Sequence, residues 1–116
     1  MDKDPYGTPQ KRWYMWALPT EKSLNTKSTF WQKLMFRKYY EAGLKCCNEM
    51  DELAKKGKAW SKEGFKVSQK MNYYKFMITA LPATKNKKDL EMYKKYGWKH
   101  AYQETSKTFK EKGILK

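Results

Sequence analysis

From Trp31 the apolar positions run Met35, Tyr39, Ala42, Cys46, Met50 and Leu53, in steps of four and three, with Phe36, Tyr40 and Cys47 widening the stripe. That spacing lines one side of a helix and predicts one long helix over about 29–56. Ser28 is its candidate N-cap, and Gly57 can close it. Val67, Met71, Tyr74, Ile78 and Leu81 repeat in the same way. They predict a helix over about 62–80, capped by Ser61 and stopped by Pro82. Leu90, Tyr93, Gly97, Ala101 and the sparser Thr108 predict a further helix over about 87–112. Asn86 with Asp89 resembles a capping box at its start, and Gly113 closes it. Gly97 is an interior weakness of ~1 kcal/mol relative to Ala, which marks Trp98 as the place where this helix would break. No segment alternates at period two for long, so strands are not expected.

The first 28 residues read differently. Residues 1–9 are polar and contain Pro5, Gly7 and Pro9, residues 10–18 are aromatic-rich and suit a short helix ending before Pro19, and 19–28 form a polar connector. The fold class is therefore all-α: a small bundle of about three main helices (29–116) plus an aromatic N-terminal arm and connector (1–28), in one domain.

Two stretches echo each other. "QKRWYMWALPTEKS" at 10–23 and "QKMNYYKFMITALPATKN" at 69–86 both open on Gln-Lys, pass through aromatics and Met, and reach Ala-Leu-Pro. "MFRKYYEAG" at 35–43 and "MYKKYGWKH" at 92–100 follow in the same order. Duplication of a helix–Pro–helix unit and chance both fit. Under either, Leu-Pro is first a helix-ending corner, because proline lacks an N–H and restricts the residue before it.

Composition narrows the functional classes. The chain carries 26 Lys and Arg against 12 Asp and Glu, a net charge of +14, with five Trp and nine Tyr. Disordered chains are poor in aromatics, so this is a folded protein with charged helix backs. Its self-repulsion points to a negatively charged partner: an acidic protein face, RNA or DNA, or anionic lipid headgroups. Arg12 and Arg37 are the only arginines. Guanine reading and bidentate phosphate clamping rely on arginine, so contact by diffuse lysine charge is favoured over sequence-specific reading.

Cys46 and Cys47 are the only cysteines, and they are adjacent. Helical neighbours diverge by about 100°, so a bond between them would be strained. They read as small buried hydrophobes, in an intracellular, reducing compartment; mitochondrion, cytoplasm and nucleus are not distinguished. "MDKDPYGTPQ" has acids where a presequence has bases. The longest uncharged runs, 13–20 and 76–84, are far shorter than the ~20 residues of a membrane span. A soluble or peripheral chain without a transmembrane segment is expected.

Sequence signals for chemistry are few. His100 is the lone histidine, no P-loop, G-x-G-x-x-G or G-x-S-x-G occurs, and Glu49, Asp51 and Glu52 are placed to pair with Lys45, Lys55 and Lys56. No catalytic residue, metal site or cofactor is expected, and the chain reads as a non-enzyme. Charge segregation is the stronger signal: from Gly64 to Lys88 there is no acid. Lys66 and Lys70 stand one turn apart there, and Lys85, Lys87 and Lys88 crowd the corner after Pro82. This is either an anion-binding surface or a solvated face. Tyr73, Tyr74, Phe76, Tyr93, Tyr96, Trp98 and Tyr102 interleave with lysines and would be core or, if exposed, stacking platforms. Trp13, Tyr14, Trp16 and Trp60 exceed what a three-helix core hides.

"LMFRKYYEAGLK" at 34–45 resembles the opening helix of the LYR-motif proteins, with Met35-Phe36-Arg37 standing in for Leu-Tyr-Arg. Two of those three residues differ. The resemblance implies a small basic helical accessory or assembly factor in mitochondria.

The function expected from sequence is a non-catalytic structural or accessory subunit of a larger assembly, mitochondrial or ribonucleoprotein. It would dock by Trp13, Trp16, Trp31 and Trp60, with Lys66, Lys70, Lys85, Lys87 and Lys88 as the electrostatic contact. The alternative is a small nucleic-acid-binding protein making backbone contacts with little sequence preference, and a third reading is an inhibitor or adaptor on an acidic enzyme face.

Overall fold

The computed structural model describes residues 8–27 and 30–115, without the side chains of residues 26 and 27. Among them are four α-helices, α1 (Pro9–Lys27), α2 (Phe30–Lys55), α3 (Lys62–Ala80) and α4 (Lys87–Glu111), and a 3₁₀ turn over Leu81–Ala83. No strand occurs among the described residues. The all-α bundle expected from periodicity is present. The bounds of α2, α3 and α4 follow the apolar stripes to within a residue. The candidate cap Ser28 and most of the 1–9 segment lie outside the described residues.

Local chemistry sets the helix ends. Ser61 accepts a hydrogen bond from the Gly64 amide at 3.2 Å, and Asn86 accepts one from the Asp89 amide at 2.9 Å. The Asp89 carboxylate answers by accepting from the Lys85 amide at 3.2 Å, one residue before the cap. Gly57 and Gly113 take φ of 73° and 77°. In each, two bonds reach back to the last turn: Gly57 and Lys58 amides to Ala54 and Leu53 carbonyls, Gly113 and Ile114 amides to Lys110 and Phe109 carbonyls. This is the left-handed C-terminal closure that glycine adopts without a Cβ penalty.

Two expectations need correction. The helix expected over 10–18 is present but does not end before Pro19, and 19–27 are helix rather than connector: α1 starts at Pro9, with the Thr8 hydroxyl accepting from the Lys11 amide at 3.2 Å. It then runs through Pro19 to Lys27. Proline tolerates the first helical position but costs about 3 kcal/mol in a helix interior. Here Pro19 and Met15, whose carbonyl loses its partner, both lie on the exposed side of α1, where water can satisfy the carbonyl. Trp13, Ala17 and Leu24 meanwhile bury the opposite side, and that packing outweighs the local penalty. The second correction concerns α4, which does not break at Gly97. A Cβ there would lie 3.0 Å from the rings of Tyr73 and Phe76, so the glycine admits close packing of α3. Thr108, assigned to the buried stripe, is exposed, and Thr105 and Phe109 take the buried positions.

The two Ala-Leu-Pro echoes open two helical hairpins, α1–α2 and α3–α4, but only the second ends its helix. There the buried Gln32 of α2 donates to the carbonyls of Leu81 (3.2 Å) and Thr84 (2.9 Å). Thr84, fully buried, donates its hydroxyl to the Ala80 carbonyl at 3.0 Å. The corner after α3 is thus stitched into the core.

Each helix packs on the next. No Cα of α4 comes within 8 Å of one in α1 or α2, while α3 packs on both α2 and α4. The result is flattened, 42 × 37 × 17 Å, with α3 in the middle between α2 and α4.

Trp13 joins the first two helices. Its indole lies where a side chain at Gly43 would be, within 2.0 Å of the added Cβ, and its Nε1 donates to the Tyr40 carbonyl at 2.8 Å. Gly43→Ala is therefore expected to destabilise the fold by about 2 kcal/mol or more, although alanine is favoured by ~1 kcal/mol in an unpacked helix. Pro19→Ala is expected to stabilise it by about 1–3 kcal/mol. Urea denaturation of both variants checks the pair of opposite signs.

Candidate binding surfaces

The open side of α3 carries Ser68, Met71, Asn72, Lys75 and Thr79. Three adjoining hollows cross it, sharing Met71, Asn72, Lys75 and Thr108 among their walls. The first, about 360 Å³, lies between α1, α2 and α3 and is walled by Trp13, Trp16, Cys47, Met50, Ala54 and Met71, with Arg12, Asp51 and Lys75 also lining it. The second, about 210 Å³, has Trp60 and Phe109 beside Met71 and Asn72. The third, about 330 Å³, is polar, with Thr79, His100, Glu104 and Thr108. Together they form a trough that is apolar at the α1–α2 end and polar at the α4 end.

Its aromatic walls are held in place. Trp16 stacks on Trp13 with centroids 5.2 Å apart, and the Lys75 ammonium lies 5.7 Å from the Trp16 ring. Trp60 packs on Phe109 at 5.1 Å, with the Lys112 ammonium 5.1 Å from its ring. A hydrogen bond from Asn72 to the Thr105 hydroxyl (2.8 Å) ties α3 to α4. Asp51 is engaged by Lys55 at 3.3 Å.

The tryptophans chosen from sequence thus divide. Trp16 and Trp60 are 37% and 46% exposed and line the trough. Trp13 is 2% exposed and belongs to the core, showing only an edge to the first hollow. Trp31 is half-buried and packs against the core away from it. Met50, Met71 and Lys75 complete the trough and were not singled out as binding residues. The two methionines repeat at core spacing but are only half-buried, lining the first hollow.

The lysines divide too. Lys66 and Lys70 are exposed on the side of α3 that carries Tyr73, roughly 140° around the helix from Met71 and Lys75. Lys85, Lys87 and Lys88 are exposed where α4 begins. Lys87 and Lys88 sit in its first turn, where the helix dipole is already positive. Along α3, Lys66 and this corner are about 20 Å apart, so the five lysines do not form one site.

Outside the core, the hydrogen bond to Asp51 and the neighbouring Glu52 charge raise the Lys55 ammonium above its usual value; inside, burial is the cause. Burial pushes up the Tyr39, Tyr73 and Tyr74 phenols and the Cys46 thiol. It raises the Cys47 thiol from 9.0 to about 11, against the opposing pull of Lys75. Both cysteines are buried and free. Among the described residues no group of three His, Cys, Asp or Glu is placed to hold a metal ion, and no helix is long and apolar enough to cross a membrane.

No family model, no curated protein and no solved structure matches the chain. The likeness of residues 34–45 to LYR-motif proteins therefore rests on those residues alone.

Cys47 gives a signed pH dependence. Well below about pH 8 both folded and unfolded chains keep the thiol proton, and the group adds no slope. Between there and the folded value of about 11 the unfolded chain deprotonates first. Stability should then fall as pH rises, by on the order of 2 kcal/mol over the window. Urea denaturation between pH ~8 and ~10 is expected to show that decline, and Cys47→Ala to reduce it. Both thiols should resist alkylation at about pH 8 until the chain unfolds.

Proposed function

We propose that this chain is a non-catalytic accessory subunit that docks onto a protein partner through the trough across α3. The observation that carries the reading is the side of the central helix where Trp16, Met71 and Trp60 line joined hollows, with Trp16 and Trp60 37% and 46% exposed among the described residues. Tryptophan set in a partly desolvated hollow is the usual anchor of an interface, ringed by contacts that exclude water. Trp16 and Trp60 need little further ordering, because their rings already stack on Trp13 and Phe109. Lys85, Lys87 and Lys88, outside the trough, would meet a negatively charged surface of the same assembly. They would add association rate and orientation more than affinity.

Native pull-down with mass spectrometry, with and without nuclease, tests this. A protein partner at fixed ratio, retained after nuclease, is expected. Trp16→Ala with Trp60→Ala should weaken its capture by at least about tenfold while the chain stays folded by circular dichroism. Loss of every partner on nuclease treatment, or undiminished capture by the folded double variant, would overturn the docking site.

A further inference from the structure

The aromatics that interleave with lysines separate by exposure, and the exposed ones gather on α4. Tyr73 is 5% exposed, whereas Trp98 and Tyr102 are 43% and 54% exposed. Trp98 and Tyr102 are one turn apart, and Lys95 and Lys99 fall on the same flank, all within about 100° around the helix. Trp98 lies flat on Tyr73, with centroids 4.0 Å apart and planes 7° from parallel. Its inner face is therefore covered by a core ring while much of the residue remains open to solvent. Tyr102 meets Phe65 edge-on at 5.9 Å and 82°. On α3, Lys66 and Lys70 stand on the same side as Tyr73. Glu91 on this flank is offset by Lys94 at 3.6 Å.

We propose that this flank of α4 binds single-stranded nucleic acid, with bases stacking on Trp98 and Tyr102 and backbone phosphates meeting Lys95, Lys99 and Lys66. Three features select that partner. The Trp98 ring is presented flat and pre-ordered by Tyr73, which suits a base; an acidic peptide has no flat face to match it. Lysine supplies the cations, and with only two arginines in the chain base edges go unread, so binding is tolerant of sequence. The flank also lacks the aliphatic stripe by which an interfacial helix enters lipid. The site is separate from the α3 trough and does not depend on the docking reading: nuclease removes this ligand and leaves that one.

The test is fluorescence anisotropy of the full chain with a labelled oligo(U) of about a dozen nucleotides at ~50 mM salt. Single strand should bind more tightly than duplex of equal length. Trp98→Leu with Tyr102→Leu should weaken it by at least about tenfold, whereas Trp98→Phe, which keeps a ring, should stay within about threefold of the parent. Lys95→Gln with Lys99→Gln should flatten the slope of log affinity against log salt by about 1.4. Melting curves confirm that each variant is folded, and if the double leucine variant is not, Tyr102→Leu alone replaces it and should also weaken binding. No binding by the parent chain, duplex binding as tight as single strand, or ring-less variants binding like the parent would each overturn the proposal. Displacement of the oligonucleotide by polyglutamate at equal charge concentration would do so too, reducing the flank to a simple cation surface.

Discussion

An indole ring pressed into the gap left by a glycine holds α1 onto the rest of the chain. Trp13 fills the space beside Gly43, and its N–H is satisfied by the Tyr40 carbonyl. Removing a buried tryptophan of this kind costs about 3–5 kcal/mol. Much follows from that contact. It brings α1 close enough for Ala17 and Leu24 to be buried, which carries the helix through Pro19. It also sets Trp16 against Trp13 and so builds one wall of the trough. Gly97 repeats the device on the other hairpin, where the rings of Tyr73 and Phe76 approach α4. Tyr73, fixed in this way, supports Trp98. Both candidate surfaces are thus held by an aromatic ring seated against a helical glycine.

The same contacts explain what was legible in the sequence. Helix ends were, because Ser61, Asn86, Gly57 and Gly113 act through bonds within a few residues of themselves. The existence of α2, α3 and α4 was, because each buries a stripe at helical spacing. Pro19 misled because its local penalty is real but is outweighed by packing against α2, which no local rule reports. Gln32 was invisible for a related reason. It is polar, yet buried, because the carbonyls it satisfies lie about fifty residues away, at Leu81 and Thr84.

The candidate sites were legible only in part. Composition identified a surplus of aromatics and a lysine-rich second half, and Trp16, Trp60, Trp98 and Tyr102 do reach the surface. Which of them share a surface depended on the order in which helices pack. In a closed four-helix bundle, α4 would lie against α1 or α2 and Met50 and Met71 would be core. Because α4 stays on the far flank of α3, residues patterned as core become the floor of a hollow. Trp13 shows the converse: a tryptophan in a segment that reads as an arm is one of the most buried residues.

Charge accounts for why such a flattened arrangement suits this chain. With +14 on 116 residues, a compact globule would crowd lysines against one another. Among the described residues Lys55 pairs with Asp51 and Glu52, and Lys94 with Glu91, at exposed or half-exposed positions where such pairs contribute little. A flattened shape spreads the remaining lysines along α4, one side of α3 and the corner at Lys85–Lys88, relieving repulsion at the expense of core volume. Aromatics make that economical, because each large ring buries more area per residue than an aliphatic side chain. The chain therefore joins a cationic outside to an aromatic inside in which several rings are only half covered. Any partner that covers those rings while neutralising the lysines would relieve both the exposed apolar area and the repulsion at once.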